Sequence, residues 1–415
     1  MSEGQHTSTG PAGGSFGGIR PLEGVRVVEM GSFIAGPFCG QLLGDFGAEV
    51  IKVESPSTGD PMRGWGRHQK NGRSLWWPII ARNKKSVTLN LREEEGQELA
   101  RDLISQADVV LENFRPGTME RWGLGYEKLK QGNPGLVMVR VSGYGQTGPY
   151  KDQAGFGSIG EAMGGIRHIT GFPDQPPPRP GISLGDSLAA TFGALGALTA
   201  LYHRDAHGGE GQVVDIGIYE AVLAMMESTI PEYALAGHAR GRTGSILPGI
   251  APSNIYPTRD GDYVLIGANA DNVFGRFAEA IGRPEWASDE RYATHHARGA
   301  HQGELDEKIS AWTREHTGEE IIEALRVAGV PAGKVYTAAD MMEDAHYADR
   351  ENITKVEDPE IGEVPMQNVV PRLTGTPGEV RWTGPALGQH NEEVYGGVLD
   401  LDEKRQEALR ERGVI

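Results

Sequence analysis

The chain has 415 residues and carries 57 Asp and Glu against 40 Lys and Arg, a net charge of −17. So acidic a surface argues against nucleic acid or an anionic membrane as the main partner. A single cysteine, Cys39, excludes intramolecular disulfides and CxxC metal sites. The length predicts about two or three domains, and no N-terminal basic-then-apolar signal is present, so a cytoplasmic location is expected.

Residues 1–20 are polar and glycine-rich and are expected to form a disordered tail, too poor in apolar surface to offset ordering entropy. Val25 to Met30 then reads as a strand, Phe38 to Phe46 as a helix and Glu49 to Glu54 as a second strand, the βαβ opening of a doubly wound α/β sheet. A nicotinamide dehydrogenase with Glu54 on the ribose would begin this way. The intervening turn GSFIAGP, however, lacks the G-x-G-x-x-G glycines that cradle a pyrophosphate.

A long aromatic loop with Arg63, Trp65, Arg67 and Trp76 follows, of a length that often marks function. Arg82, Asn83, Lys84, Lys85 and Arg92 bracket a strand from Ser86 to Asn90. In so acidic a chain they read either as a phosphate-binding cluster or as a solvated positive face. A helix over Glu93 to Gln106 leads to a strand, Asp108 to Leu111, which ends in Glu112-Asn113-Phe114-Arg115-Pro116-Gly117, where open α/β sheets bind ligands. Leu136 to Ser142 is a further strand, closed by the turn-rich loop Gly143 to Tyr150.

The proline run at 176–180 delivers the chain in extended form to Gly185-Asp186. Ser187 to Leu201 then forms a helix with a face of Ala and Gly. Two readings of Asp186 stay open on the residues alone. It is a helix N-cap, which stabilises by about 1 kcal/mol, or a carboxylate that a ligand approaches over the bare Gly185. Val213 to Ile218 is a strand and Tyr219 to Leu235 a helix. From about Arg242 a second region begins, with a hairpin turning at Asp260-Gly261. Its helices lie near Asp271 to Ile281, Gln302 to Glu315 and Gly318 to Ala328. His295, His296, His301 and Glu304 lack metal-site spacing, so no metal is expected. Strands near Lys355 and Val369 precede a charged C-terminal helix.

PGISLGDSLAA, the E-N-F-R-P-G turn, the opening PLEGVRVVEM with FGAEVIKVE, and LGQHNEEVY near the end together resemble the class III CoA-transferases. That family includes formyl-CoA transferase, carnitine CoA-transferase and the methylacyl-CoA racemases. The resemblance runs from about Pro21 to the C-terminus. It implies a Rossmann-like large domain plus a smaller α+β domain in an obligate, interlocked homodimer. Residues 21–205 form the first part of the large domain, 206–244 a linker, 245–335 the small domain, and 336–415 a linker and return.

By the same resemblance Asp186 is the catalytic carboxylate, forming an aspartyl-CoA thioester through an anhydride, with backbone N–H groups around Gly185 stabilising the oxyanion. Coenzyme A, as acyl-CoA co-substrate, is held by Ile34, Ala35, Leu89, Asn90, Arg92, Asn113, Phe114, Arg115, Arg121 and Phe156. The segment ARGRTGSILPGIAPSN is similar to the branch that uses succinyl-CoA and acids such as malate, citramalate, mesaconate, itaconate or glutarate. Gly249 and Ile250 belong to a loop covering the site, and Arg242 or Arg63 pairs with the acceptor's distal carboxylate. The consecutive glycines of formyl-CoA transferase are absent there, and Ser55 replaces an arginine that some members carry. The racemase alternative needs a G-H-D histidine where this chain has Ala154-Gly155-Phe156-Gly157. A third reading is a non-catalytic acyl-CoA-binding protein.

Overall fold

The computed structural model describes residues 18–415. The expected tail therefore lies outside the described residues up to position 17, and Arg20 at its end pairs with Glu379 at 2.8 Å. The described residues divide into two compact units, one of residues 18–164, 181–225 and 350–415, the other of 165–180 and 226–349.

The first unit is built on a six-stranded parallel sheet of β1 (Arg26–Glu29), β2 (Glu49–Glu54), β3 (Lys84–Thr88), β4 (Val109–Glu112), β5 (Val137–Ser142) and β6 (Val213–Gly217). The strands lie in the order β3-β2-β1-β4-β5-β6, all parallel. This is the doubly wound order, with its switch point between β1 and β4, where such sheets open a crevice at their carboxyl ends. The strands are nearly all buried because both faces are covered, which is why VV, VIKV and VMVRV read as continuous apolar runs.

Alternate residues face opposite layers. Val28, Ile51, Val110 and Met138 meet α2 (Glu94–Ser105) through Leu99, Leu103 and Ile104. Val27, Val50, Val109 and Val139 face α1 (Ala35–Asp45) and α4 (Leu184–His207), with α3 (Gly157–Met163) preceding α4 in the chain. Each large aliphatic side chain so buried stabilises the unit by roughly 1.5–3 kcal/mol. By length and composition α4 could cross a membrane. In this fold it lays Ala189, Ala190, Gly193, Ala194 and Ala197 on the sheet and on α1. Cys39 is fully buried at that contact, where burial pushes its thiol up to about 12, so it is packing material and not a nucleophile.

Several local expectations change. The helix bearing Asp186 starts earlier, at Leu184, with Ser183 as N-cap, which places Asp186 at the third helical position. It is therefore not the N-cap. The helix expected from Tyr219 to Leu235 is two, Ile218–Leu223 and Thr229–Ala236, divided where Glu227 adopts a left-handed φ of 49°. The last strand, Gly362–Gln367, ends before Val369 and pairs antiparallel with Ile353–Asp358.

The second unit centres on an antiparallel sheet of Ser253–Pro257, Tyr263–Gly267 and Ala332–Lys334. Its hairpin turns at Asp260-Gly261, where Gly261 takes a φ of 85° that its lack of Cβ permits. One face packs Tyr256, Val264 and Ile266 against Phe274, Phe277, Leu305, Ile309, Ile321 and Leu325.

Candidate active site

At the carboxyl ends of β1 to β4 lies a cavity of about 540 Å³. Its walls are Met30 to Ser32 after β1, Glu54 to Pro61 after β2, Leu89 to Arg92 after β3, and Phe114 with Trp122 after β4. Four residues expected at coenzyme A, namely Leu89, Asn90, Arg92 and Phe114, thus meet in one place. Phe114 stands edge-on to Trp122 with ring centroids 5.1 Å apart. Arg92 is exposed at the rim, and Asn90 Oδ1 accepts its backbone N–H at 3.2 Å. The C-terminus closes one side, where Asn90 N–H donates to the Val414 carbonyl at 2.7 Å.

Other expected contacts are placed differently. The Asn113 amide grips the Ser32 backbone, accepting its N–H and donating to its carbonyl, both at 2.8 Å. Gly31 fits there because a Cβ would stand only 2.6 Å from Asn113 Oδ1. Asn113 therefore shapes the cavity through the β1 turn. Arg115 is exposed and does not line the cavity, and Arg121 donates to Thr118 Oγ1 at 2.8 Å. Ile34 sits at the N-cap of α1, facing a separate apolar groove, with Ala35 buried behind it.

The basic stretch 82–85 is neither a phosphate patch nor a solvated face. Arg82 pairs with buried Asp45 at 2.6 Å, Lys84 with Glu29 at 2.7 Å, and Lys85 with Glu49 and Glu393 at 2.5 and 2.7 Å. Charges so far inside are tolerated only when paired. Among these basic residues only Arg92 lines the cavity.

Beneath the cavity lies an ionic floor that the sequence reading did not foresee. Glu29 lies between Lys84 and Lys52, the latter at 2.9 Å, and Lys52 also meets Asp60 at 2.8 Å and the Gly31 carbonyl at 2.9 Å. Burial opposes the Lys52 charge, but Glu29, Asp60 and Glu54 outweigh it and hold its pKa above the ordinary lysine value. Asp60 Oδ1 accepts the N–H of Phe33 at 3.3 Å, supporting that residue at a left-handed φ of 65°. The sequence signal was Lys52 itself, a cation within a strand otherwise reading as fully buried.

Arg63 is committed to the same floor. It pairs with the 1% exposed Glu54 side chain at 2.7 Å, donates to the Pro385 carbonyl and covers the Trp77 ring at 3.8 Å. Glu54 also accepts from Ser86 Oγ and from Asp60 N–H, which removes it as a ribose acid. Arg63 is likewise occupied, so no substrate role is carried forward for it.

From the cavity rim a line of contacts runs to Asp186. Ser32 lines the cavity and Phe33 follows it. The Phe33 ring meets Trp65 at 5.6 Å and Phe156 at 6.4 Å, both edge-on. Phe156, 55% exposed, directly precedes Gly157, and the Asp186 carboxylate lies so close over Gly157 that any Cβ there would overlap it. Gly155 in turn packs backbone-to-backbone on Gly143, which seats the 143–150 loop against the same segment. The Gly185 N–H is not open as an oxyanion donor, because Glu161 Oε1 accepts it at 3.2 Å.

Arg242, Gly249 and Ile250 belong to the second unit. The Arg242 guanidinium faces the carbonyls of Phe172, Pro173 and His168 at 3.1, 3.4 and 3.5 Å. Gly249 N–H donates to Gln302 Oε1 at 3.1 Å, and Gln302 donates to the Ile250 carbonyl at 3.0 Å, anchoring the 247–250 loop. His295 and His301 point ring nitrogens at the carbonyls of Asn269 and Ala297, and Glu304 pairs with Arg291 and Lys308. Among the described residues no group of three or more His, Cys, Asp or Glu is arranged to hold a metal.

Comparison with known proteins gives a consistent picture. Residues 22–391 match the family described as CoA-transferase family III. The succinyl-CoA–D-citramalate CoA-transferase of Chloroflexus aurantiacus is 64% identical over 396 residues, 95% of this chain and 98% of that protein. The alpha subunit of succinyl-CoA–L-malate CoA-transferase from Chloroflexus aurantiacus is 43% identical over 397 residues, 95% of this chain and 92% of that subunit. Among solved structures, a CAIB/BAIF family protein from Brucella suis superposes with a TM-score of 0.82 at 34% identity, covering 91% of this chain and 99% of that one.

Proposed function

The chain belongs to CoA-transferase family III, and from that premise we propose that it moves CoA from succinyl-CoA to a small dicarboxylic acid, using the Asp186 carboxylate as the covalent carrier. The observation that carries the reading is the unbroken path, within one unit, from the cavity through Ser32, Phe33 and Phe156 to Asp186. The nucleotide end of CoA occupies the cavity at the carboxyl edge of the sheet, with Arg92 answering its phosphates. The pantetheine arm passes the exposed faces of Phe33 and Phe156, and the thioester arrives at the first turn of α4, whose dipole favours negative charge there.

The Asp186 carboxylate attacks the succinyl thioester carbonyl and expels CoA thiolate, leaving a succinyl–aspartyl anhydride. The thiolate then attacks the aspartyl carbonyl, releasing succinate and forming the aspartyl-CoA thioester. The acceptor carboxylate attacks that thioester, again expelling thiolate, which takes the acceptor's acyl group and frees Asp186. No water enters the balance, so water must be excluded while the anhydride exists. The racemase alternative loses support because Phe156 and Gly157, which offer no proton acceptor, occupy the position beside the aspartate.

The 64% identical relative is named for D-citramalate, and the acceptor proposed here is of that class, a four- or five-carbon dicarboxylate. Arg242 is the cation for its distal carboxylate, since its charge meets only carbonyl oxygens and no carboxylate among the described residues. Arg242→Leu is expected to raise KM for dicarboxylate acceptors about 10- to 100-fold, the loss of one charge-assisted hydrogen bond. KM for monocarboxylates should stay within about twofold by the same reasoning. Equal effects on both classes would remove Arg242 from the site.

The same reading carries an interlocked homodimer. It is supported by Leu195, Leu198 and Tyr202, spaced along one side of α4 and 58%, 40% and 66% exposed, an apolar row that a second copy would cover.

The direct test is intact-protein mass after incubation with succinyl-CoA. An adduct of CoA mass that hydroxylamine removes is expected. Absence of any adduct with succinyl-CoA and a panel of acyl-CoAs would refute the covalent route.

A further inference from the structure

The side chain of Glu161 is 1% exposed on α3, below the turn that carries Asp186. Its Oε1 accepts the N–H of Gly185 at 3.2 Å. That N–H sits in the first turn of α4, where the helix itself supplies no acceptor. Gly185 is wedged tightly: a Cβ on it would stand 3.0 Å from the Gly157 carbonyl, 3.1 Å from Glu161 Cγ and 3.2 Å from Ile218 Cγ2. The two ends of α3 therefore grip consecutive residues of α4. Glu161 holds the backbone of Gly185, while Gly157 forms the seat against which the Asp186 carboxylate rests.

An apolar side chain at 161 would fill this interior without the cost of desolvating a carboxylate. What the glutamate contributes is a fixed orientation of the first turn, and hence of the carboxylate on the next residue. We propose that Glu161 is a positioning residue for the transfer reaction, aligning the Asp186 carboxylate for attack through its hydrogen bond to Gly185. The proposal rests on the reading of Asp186 as the carrier. Nucleophilic attack demands reacting atoms about 3–3.5 Å apart, and a displacement of about 1 Å costs on the order of a hundredfold in rate.

The test compares Glu161→Gln, which keeps the carbonyl acceptor, with Glu161→Leu, which removes it. Single-turnover formation of the aspartyl-CoA thioester, steady-state kcat, and KM for succinyl-CoA are measured on each. Glu161→Leu is expected to slow thioester formation and kcat about 10- to 100-fold while KM for succinyl-CoA moves less than about threefold, because the nucleotide cavity is elsewhere. Glu161→Gln should stay within about threefold of the wild type in every parameter. If Glu161→Leu does not fold, Glu161→Ala takes its place with the same expectation. A Leu or Ala variant as fast as wild type overturns the proposal, as does a folded Gln variant that loses as much as the Leu variant. A wild-type enzyme that forms no thioester refutes the role of Asp186 instead, so the two failures are told apart.

Discussion

Asp186→Asn is expected to lower kcat by about three orders of magnitude or more while leaving the affinity for CoA within about twofold. The carboxylamide has nearly the shape of the carboxylate, so it keeps the close seat over Gly157. What it lacks is the anionic oxygen that attacks the thioester. Asp186 is the third residue of α4 and does not cap it. The change also removes a negative charge near the N-terminus of the helix, a placement worth about 0.3–1 kcal/mol. The cavity at the ends of β1 to β4 has no wall from α4, which is why CoA affinity should persist. Rate and affinity are thus expected to separate, measured by steady-state turnover and by calorimetric titration with CoA. A variant that keeps both would show that Asp186 is not the carrier, whereas a wild type that binds CoA without any turnover would identify the protein as an acyl-CoA binder. A variant that loses both would make Asp186 a structural residue of the first turn.

The parallel sheet was legible in the sequence because its strands are buried on both faces, so that V-V-E, E-V-I-K-V-E and V-M-V-R-V-S carry an unmistakable run of β-branched residues. Leu89, Asn90, Arg92 and Phe114 were grouped by the family resemblance, and the fold supplies the physical reason that they meet: each follows a strand, and parallel strands end together. The stretch Arg82 to Lys85 misled, since four polar residues in a row look like surface. Their partners Asp45, Glu29 and Glu49 are far away in the chain, and no local pattern announces a long-range ion pair. The same holds for Asn113, whose partner is the Ser32 backbone on the adjacent strand's turn. Gly157 and Glu161 lay in a run of small residues with no periodicity, and only contact with the first turn of α4 gives them meaning. The break in the Tyr219 to Leu235 helix was similarly hidden, because the left-handed residue there is Glu227 and not a glycine.

Glu29→Gln is expected to destabilise the protein by about 3–5 kcal/mol, the cost of leaving buried charge without its partner. Both lysines that Glu29 joins are essentially inaccessible, with side chains 2% exposed for Lys52 and fully buried for Lys84. Glutamine keeps the volume, so cavity formation contributes nothing and the effect isolates the charge. Lys52 retains Asp60 at 2.8 Å, whereas among the described residues Lys84 retains only the Pro37 carbonyl, at 2.6 Å. Lys84 is already depressed by burial against the opposing pull of Glu29, so it is the ammonium expected to give up its proton. Chemical denaturation should show a lower midpoint with an unchanged slope. The exposed pair Glu323–Arg326, treated the same way, should show no measurable change. The loss should also reach the site. Lys52 holds the Gly31 carbonyl and Asp60 holds Phe33, so a floor that rearranges releases the turn joining the cavity to Phe156. KM for succinyl-CoA is therefore expected to rise in Glu29→Gln even under conditions where the variant is fully folded. An unchanged KM would show that the ionic floor supports the fold alone.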